Sequence, residues 1–563
     1  MSLQLAATQL TAGNTDIRYA RMGLYLIPYG PTGDAVVPNA AGTLEFLAEA
    51  AVVPHQDRQF LVGATYGTAL QMNLGAPKAL GDPDVGKAAA SATGARIAIM
   101  NPPFTNRSNM GDKFADPTQL SLRGRVDELE SQLVAVDSEL DGFVDKNSIA
   151  PLFAALAERC VDPRSGVLAM INPTIALTNA SGLQERRVLA ARFDVDTVLT
   201  CHQPGNINLS QNTNINESIV VMRRRAQERP PPPRIGSALP EIPDPATTST
   251  PAGGSTPGRS AGARFINLDR FPTDDAEVAD LFDAIDSLGP ADAGVLPNGW
   301  GELSHWPAER IRGGDWTAAI WRSPVLAEAA ARFAEHPSLT PMAAAGLWPH
   351  ATGKQSMKAY RRLEQPTRDS FPMLKSKGAD GQFCIEATPD EHWEWTHTGT
   401  PPILDKAGYL LVTFGQRTST GRVTAVASEQ RYVGYSWMPV SGLSVPQAKA
   451  ASVFLNSTAG RLLLMRNPGK ALDFPTYNPA VYDKLPIPDL EDRHILGTLD
   501  DCWEATRNMV VPQYRDGECE VRRLWDAAVC DALGWDEAEM AALRKLLHAE
   551  PHVRGLGYGQ YGD

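Results

Sequence analysis

One stretch of this chain, poor in large apolar side chains, separates two regions with different patterns. Residues 229–265 read RPPPPRIGSALPEIPDPATTSTPAGGSTPGRSAGARF, where Pro, Gly, Ser and Thr replace any periodic apolar pattern. Such a composition cannot bury a hydrophobic core, so we predict a linker or a long surface excursion here. A loop within one domain is the alternative. The length of 563 residues favours several domains over one.

Before this linker, short apolar runs alternate with helical patterns. The strand-like runs are IAIM, GVLAMINPTIAL, DVDTVLT and SIVVMRR, and helical patterns run through VDELESQLVAVDSEL and IAPLFAALAERCV. Continuously apolar strands separated by helices are typical of a parallel α/β sheet covered on both faces. We therefore predict an α/β domain over residues 1–228.

After the linker, Pro, Trp and Gly become frequent and the apolar runs are short. The runs YLLVTFG, RVTAVAS and RYVGYSWMPV predict a mixed α+β module over residues 266–490. Helical patterns through CWEATRNMVVPQY, RRLWDAAVCDAL and EAEMAALRKLLHAE predict an acidic helical region over residues 491–563. Within it, Gly534 and the Asp536/Glu537 pair fit a helix end followed by a helix start.

Composition argues against several classes of protein. No apolar run approaches the roughly 18 residues of a membrane span, and the first residues lack a secretory signal, so we expect no membrane association and a cytoplasmic location. The six cysteines form no C-x-x-C pair, and no metal site is predicted. The net charge of -13 counts against indiscriminate coating of nucleic acid, although one basic cleft is compatible with it.

The motif that says most about chemistry is Asn101-Pro102-Pro103-Phe104, directly after the IAIM run. In an open α/β sheet, ligands bind beyond the carboxyl ends of strands. Two consecutive prolines remove two backbone donors and leave a rigid turn whose carbonyls can accept hydrogen bonds. The Asn101 side-chain oxygen and the Pro102 carbonyl could accept the N–H bonds of a base's exocyclic amine, while Phe104 offers an apolar face to an extrahelical base.

With this motif, the sequence resembles the DNA N6-adenine methyltransferases of restriction-modification and phage-defence systems, whose catalytic motif is Asn/Asp-Pro-Pro-Tyr/Phe. The segments that carry the resemblance span about residues 1–225 and include GTLEFL upstream and IAPLFAALAERCV, GVLAMINPTIAL and QNTNINESIVVMRRR downstream. The resemblance implies a Rossmann-like methyltransferase sheet, S-adenosylmethionine as methyl donor and double-stranded DNA as substrate. It also implies catalytic roles for Asn101, Pro102, Pro103 and Phe104.

The sequence departs from this family at the cofactor site. Family members hold the cofactor on an Asp-Pro-x-x-Gly-x-Gly turn after the first strand and on an acidic residue after the second, and neither precedes the IAIM run. Only Thr43 stands where the family contacts the cofactor's adenine, and a strand end explains its segment equally well. The cofactor site is therefore expected to be incomplete in this polypeptide.

Three explanations of that departure stay open. A second polypeptide could supply the missing half, the chain could be a truncated gene product, or the fold could be a degenerate methyltransferase kept for DNA binding. An incomplete sheet would expose apolar edges, which favours the partner chain. Other subunits of a defence system could bind as well. The expected function is an adenine-specific methyltransferase subunit, and the alternative is a catalytically inactive DNA-recognition or scaffolding subunit.

Between about residues 340 and 490, basic and aromatic residues are interleaved. Lys and Arg there could neutralise phosphates, and Gln416 or Arg417 could read base edges, although a solvated charged face explains any single residue. The candidate DNA-binding residues are Lys354, Lys358, Arg361, Arg362, Arg417 and Arg422.

The segment SVFLNSTAGRLLLMRN followed by YDKLPIPDL resembles the distal part of target-recognition modules in large combined methyltransferases. Its Asn456, Ser457 and Gly460 fit packing and capping roles equally well. For His202, Trp393 and Trp395, structural roles are favoured over base or substrate contacts.

Overall fold

The structure is a computed structural model that describes much of the chain from residue 96 onward and a few short strands before it. The described residues are 24–25, 29–31, 39–41, 70–73, 76–79, 96–102, 117–140, 149–162, 164, 166–179, 182–202, 217–225, 262–289, 292–352, 356–375, 382–397, 402–466 and 475–555.

Strands and helices are numbered in chain order over these residues. The strands are β1 (Leu24–Tyr25), β2 (Tyr29–Pro31), β3 (Asn39–Ala41), β4 (Leu70–Asn73), β5 (Ala76–Ala79), β6 (Ile97–Met100), β7 (Val167–Pro173), β8 (Phe193–Cys201), β9 (Glu217–Arg224), β10 (Gly262–Leu268), β11 (Gly294–Leu296), β12 (Gly301–Pro307), β13 (Leu339–Pro341), β14 (Trp348–Pro349), β15 (Tyr360–Leu363), β16 (Ser370–Leu374), β17 (Glu391–Trp395), β18 (Gly408–Thr413), β19 (Ala425–Gly434), β20 (Trp437–Ser441) and β21 (Pro486–Pro488). The α-helices are α1 (Pro117–Val136), α2 (Ala150–Cys160), α3 (Leu183–Arg192), α4 (Asp275–Asp286), α5 (Ala308–Gly313), α6 (Pro324–Ala334), α7 (Val445–Asn456), α8 (Thr458–Met465), α9 (Pro479–Asp483), α10 (Arg493–Thr506), α11 (Glu520–Leu533), α12 (Glu537–Ala549) and α13 (Pro551–Arg554).

The first large sheet has seven strands in the order β11-β12-β10-β8-β9-β7-β6. The pairs β6/β7 and β8/β10 are parallel, whereas β9 runs antiparallel to both of its neighbours, β7 and β8. The IAIM, GVLAMINPTIAL, DVDTVLT and SIVVMRR runs all form strands, as predicted. The fully parallel sheet was a wrong expectation, because the direction of β9 depends on the path of the chain between β8 and β9 and not on its apolar pattern.

The same sheet continues beyond the proline-rich stretch. Strand β10 pairs in parallel with β8, with Ile266 opposite Leu199, and β12 and β11 then add in antiparallel fashion. The predicted boundaries therefore need correction: residues 262–265 belong to a strand instead of the linker, and the sheet is not confined to residues 1–228. The physical reason is that backbone pairing joins segments distant in sequence, which local composition does not reveal.

Amphipathic helices cover the apolar core beside this sheet. In α1, Val126, Leu129 and Leu133 are buried at helical spacing on one face. They share a hydrophobic cluster with Leu168 of β7 and Val220 of β9, both with no exposed surface. Burial of such aliphatic side chains contributes about 1.5–3 kcal/mol each, so these contacts hold the helices against the sheet.

The second large sheet has the order β14-β20-β18-β19-β16-β17-β15 and is antiparallel except at β16/β19. Three predicted β runs correspond to β18, β19 and β20, but the hairpin turn falls inside the third run. A side chain at Gly434 would lie 2.2 Å from the Trp437 carbonyl oxygen, so the close approach of the two strands requires glycine there.

The C-terminal helices pack into the same hydrophobic cluster as the two sheets. Trp503 of α10 and Trp525 of α11 have no exposed surface, and α10 packs between α7 and α11. Gly534 ends α11 with φ 66°, and the Asp536 side chain accepts a hydrogen bond from the Glu539 N–H at the start of α12. This confirms the predicted helix end and helix start.

Across the described ranges, no helix combines the length and the apolar character that crossing a membrane requires.

Candidate functional site

Asn101 and Pro102 directly follow β6, the edge strand of the first sheet as far as the chain is described. Asn101 is exposed and Pro102 is buried. Because β6, β7, β8 and β10 point the same way, their carboxyl ends meet at one edge of the sheet, where ligands bind in open α/β sheets. Pro103 and Phe104 lie outside the described residues, as do Thr43 and Lys354.

A row of buried polar side chains lies at the same edge, where β7, β8 and β9 meet. The hydroxyls of Thr174 and Ser218 are 2.6 Å apart, and the Thr200 hydroxyl is 3.3 Å from that of Ser218. Asn172, opposite Ser218 in the β7/β9 register, is buried, and its Nδ2 has no hydrogen-bond partner among the described residues. Buried polar groups are usually paired, so this amide is a candidate for contact with a ligand.

Sequence reasoning missed this polar row. The available signal was the Asn172-Pro173 pair at the end of an apolar run, because an amide in that position is costly to bury without a partner.

The C-terminal segment reaches the carboxyl end of β10, where Glu550 accepts a hydrogen bond from the N–H of Arg322, the partner of Asp269. His202 follows β8 and is buried, and burial lowers the pKa of its imidazole to about 4. Asp269 follows β10 and pairs with Arg322, whose Nη2 is 2.5 Å from the Asp269 Oδ2. His552 of α13 is also buried, and burial lowers its pKa to about 3. The exposed side chain of Asn101 follows β6, whereas the buried side chain of His202 follows β8.

The predicted DNA-binding residues of β15 are exposed and ion-paired. Arg361 Nη2 is 2.5 Å from Glu394 Oε2, and Arg362 Nη2 is 3.3 Å from Glu391 Oε1. Lys358, just before β15, is also exposed. These three cations are therefore close together in sequence and structure, and two of them have carboxylates that would compete with phosphate.

Of the two other described residues predicted to contact DNA, Arg417 is exposed and Arg422 has a structural role. Arg417 is exposed, whereas the Arg422 guanidinium donates to the Val511 carbonyl oxygen at 2.7 Å and lies over the Phe383 ring. Gln416 is buried and cannot read a base edge without a rearrangement. Arg422 and Gln416 are thus held by the fold, which local sequence does not show.

Several motif residues have structural roles. Asn456 is buried and joins α7 to β19, since its Oδ1 accepts from the Thr424 N–H at 2.6 Å and its Nδ2 donates to Ala425 O at 2.7 Å. Ser457 caps α8 through the Gly460 N–H. These contacts support the packing and capping interpretation.

The two tryptophans of β17 also pack structurally. The Trp393 indole donates to Glu391 at 2.8 Å, and the Trp395 ring packs on Tyr360. These contacts support the structural interpretation of both residues.

The described residues do not fit the methionine part of S-adenosylmethionine. No glycine-rich turn among them links a strand of the first sheet to a helix, which is the arrangement that holds such a group. Within the same residues, no group of three or more His, Cys, Asp or Glu side chains could hold a metal ion.

No family model and no curated protein matches the sequence. Among solved structures, the type IIG restriction endonuclease BpuSI is 12% identical with a TM-score of 0.32, and the match covers 83% of this chain and 54% of that one. The type IIL restriction-modification enzyme MmeI, in complex with DNA, is 11% identical with a TM-score of 0.36, covering 84% and 56%. A type I methyltransferase subunit from Streptococcus thermophilus is 16% identical with a TM-score of 0.23, covering 39% and 36%. The chain thus spans about half the length of the first two proteins.

Proposed function

We propose that this chain is the catalytic subunit of a site-specific DNA methyltransferase that modifies the N6 amine of adenine in a restriction-modification or phage-defence system. The observation that carries the proposal is the position of Asn101-Pro102. The pair follows a strand whose carboxyl end lies at the ligand-binding edge of a mixed α/β sheet, and Asn101 is exposed there.

The chemistry requires acceptors for the N–H bonds of the target amine. The amine is a weak nucleophile because its lone pair is delocalised into the ring. The Asn101 Oδ1 and the Pro102 carbonyl would accept its two N–H bonds and favour a tetrahedral nitrogen, while Phe104, after the rigid Pro103, would stack on the extrahelical base. S-adenosylmethionine would supply the methyl group. Asn172, at the end of neighbouring β7, is placed to orient the base or the Asn101 side chain.

We further propose that a second polypeptide completes the donor site. The described residues do not fit the donor, and Thr43 remains a candidate contact. Strand β6 is an edge strand of the described sheet and exposes Ile97 by 67% and Ile99 by 80%. Ile97 and Ile99 lie on one face of this strand, and exposed apolar side chains there favour association with another chain. The assembled enzyme would act in the cytoplasm.

For DNA binding, we propose phosphate contacts by Lys354, Lys358, Arg361 and Arg362 and a groove contact by Arg417. Arg422 is assigned a structural role instead. The exposed side chains on and next to β15 support this assignment, because phosphate contacts need accessible cations.

The experiment compares the full chain, co-expressed with its neighbouring gene product, with its Asn101→Ala variant. Tritiated S-adenosylmethionine and duplex DNA are supplied, and digested nucleosides are analysed by mass spectrometry. We expect N6-methyladenine from the wild type and a loss of about 100-fold or more in the variant, with DNA binding unchanged. Asn508→Ala, which changes an exposed amide in a turn far along the chain from the motif, is the matched control.

Two results would count against the proposal. Methylation by Asn101→Ala at the wild-type rate would remove Asn101 from the reaction. DNA binding without methylation by any assembled wild-type complex would favour the second candidate, a non-catalytic DNA-recognition or scaffolding subunit. The absence of a fitting donor turn from the described residues is the observation that keeps this second candidate open.

A further inference from the structure

Two neighbouring strands of the first sheet change from apolar to polar side chains where they reach its ligand-binding edge. On the face that packs in the hydrophobic core, β7 presents Leu168 and Met170 and then Asn172. On the same face, β9 presents Val220 opposite Met170 and Ser218 opposite Asn172, and all five side chains are buried. Polar groups are costly to bury unless they are hydrogen-bonded, so aliphatic side chains would fill this space at lower cost. The change in residue type at this edge therefore indicates a role beyond packing.

The hydroxyl of Ser218 joins the ends of the two strands beside it. It lies 2.6 Å from the hydroxyl of Thr174, just after β7, and 3.3 Å from that of Thr200, in β8. The first distance is typical of a good O–H···O hydrogen bond, whereas the second is longer and weaker. All three residues are buried, so the bond between Ser218 and Thr174 is shielded from water.

This bond begins where the backbone pairing of β7 with β9 stops. Pro173, opposite Glu217, is the last residue of that ladder, and a proline has no N–H to donate. The 3-10 turn Thr174–Leu177 follows directly, with its first and last side chains buried. The hydroxyl bond therefore fixes the start of this turn to β9.

The turn after β7 lies next to the Asn101-Pro102 pair. Strands β6 and β7 are parallel, with Met100 opposite Met170, so Pro102 and Asn172 lie level with each other two residues further along. Neighbouring strands of a sheet are about 4.8 Å apart. A displacement of the turn after β7 would therefore change the space beside Asn101-Pro102.

We infer that Ser218 and Thr174 are positioning residues of the proposed methyltransferase. Their hydroxyl bond holds the turn after β7 in place, and that turn keeps a base bound at Asn101-Pro102 in its reactive position. This role rests on the proposed function. Loss of the bond slows methyl transfer but leaves DNA binding intact, because Ser218 and Thr174 are buried and do not contact DNA themselves.

Steady-state methylation of duplex DNA by the full chain, co-expressed with its neighbouring gene product, tests this role. Thr174→Val removes the hydroxyl but keeps the shape of the side chain, and Ser218→Ala removes the hydroxyl on the other side of the bond. We expect each variant to lower kcat by about tenfold or more, while the KM for DNA stays within about twofold of the wild-type value. Thr174→Ser, which keeps the hydroxyl, should have a kcat close to that of the wild type.

Two matched variants separate positioning from a loss of stability. Ser304→Ala changes another buried serine of the same sheet, whose Oγ has no hydrogen-bond partner among the described residues. Thr506→Val, in α10, removes a buried hydroxyl that donates to the Cys502 carbonyl oxygen at 2.8 Å and accepts from Trp525 Nε1 at 3.0 Å. Thr506→Val should lower the melting temperature at least as much as Thr174→Val does. Both controls should nevertheless methylate DNA at the wild-type rate.

A wild-type kcat for Thr174→Val, measured beside an inactive Asn101→Ala, would overturn the positioning role and leave the proposed function standing. The role is also wrong if Thr174→Ser is as slow as Thr174→Val, because the methyl group and not the hydroxyl would then matter. An equal loss of kcat in Thr506→Val would show that the rate follows stability, which excludes the role as well. A wild type that methylates no duplex DNA would overturn both the role and the proposed function.

Discussion

The carboxylate of Glu550 accepts a hydrogen bond from the backbone N–H of Ser323, the residue that precedes helix α6, with 3.0 Å between Oε1 and N. The second oxygen accepts from the Arg322 N–H at 3.1 Å. A side chain from the last described turn of the protein thus caps a helix more than two hundred residues earlier, at an end where unpaired N–H groups favour an anion.

Replacing Glu550 by Gln should remove a contribution to stability that is present at low pH and lost towards neutral pH. Glu550 is fully buried, and burial raises its pKa to about 7 from an unfolded value near 4.5. Since the folded pKa is the higher one, this carboxyl favours folding most below about pH 4.5, and that contribution is lost as the pH rises through about 7. As the pH rises from about 4.5 to about 7, we expect the free energy of unfolding of Glu550→Gln to increase by about 3 kcal/mol relative to that of the wild type.

Urea unfolding at a series of pH values measures that difference. Neighbouring His552, with its pKa lowered from 6.5 to about 3 by burial, takes up a proton on unfolding in much of this window, but it does so in both proteins and cancels from their difference. The exposed Glu364→Gln variant is the control and should follow the wild-type curve. A free-energy difference between Glu550→Gln and wild type that does not vary with pH would show that the carboxyl titrates normally.

Arg192 should contribute more to the stability of the first sheet than an exposed arginine of the same helix does. Its guanidinium lies 2.8 Å from Glu158 Oε2 and 2.8 Å from Asp137 Oδ2, which joins the end of α3 to α2 and α1. Glu158 is buried, so Arg192→Met would leave a carboxylate without its cation and should cost about 3–5 kcal/mol in unfolding free energy.

Two further variants separate the ion pair from the loss of packing. Arg187→Met changes an exposed arginine of the same helix and should cost less than about 1 kcal/mol. The double variant Glu158→Gln/Arg192→Met should recover part of the loss, because the buried charge is gone. If the double variant is as unstable as the sum of both single changes, the pair is not coupled.

Local patterns were sufficient to predict several of the strands and helices but not their partners. Apolar runs placed β6 to β9, and Gly534 and Asp536 marked a helix end and start, because these signals depend on neighbouring residues only. The pairing of β10 with β8 and the cap that Glu550 forms at Ser323 join distant segments, so no local pattern contains them.

In the candidate site, too, local features were predictable and contacts between distant segments were not. The position of Asn101-Pro102 at a strand end was predictable because the pair directly follows an apolar run. Buried Asn172 and Ser218 were not, because they become neighbours only when β9 inserts between β7 and β8. For the same reason, the pairing of Arg361 with Glu394 could not be read from the basic cluster of residues in which Arg361 occurs.

That ion pair makes the DNA-binding proposal testable without knowledge of the target sequence. Arg361→Gln should weaken binding to random-sequence duplex DNA and lower the slope of log K against log salt by about 1, as expected for the loss of one phosphate contact. Glu394→Gln should strengthen binding, because it removes the competing carboxylate. Fluorescence anisotropy across a salt series measures both.

The control is Arg523→Gln, which breaks an exposed Arg–Glu pair of similar geometry on α11, with 2.6 Å between Arg523 Nη2 and Glu520 Oε1. Its salt slope should equal that of the wild type. Equal slopes for Arg361→Gln and Arg523→Gln would remove Arg361 from the DNA interface.

Two glycine-to-alanine changes in different helices should have opposite effects on stability. A Cβ at Gly460 would lie 2.2 Å from the Phe454 carbonyl oxygen, a contact with backbone that cannot move aside, so Gly460→Ala should cost about 2 kcal/mol or more. At Gly497, inside α10, no atom lies within 4 Å of the added carbon, so Gly497→Ala should stabilise by about 0.5–1 kcal/mol through its helix propensity. Urea unfolding of both variants checks the pair. If both variants change the free energy of unfolding equally and in the same direction, the turn between α7 and α8 relaxes to accept a side chain. Close packing is then not what selects glycine at position 460.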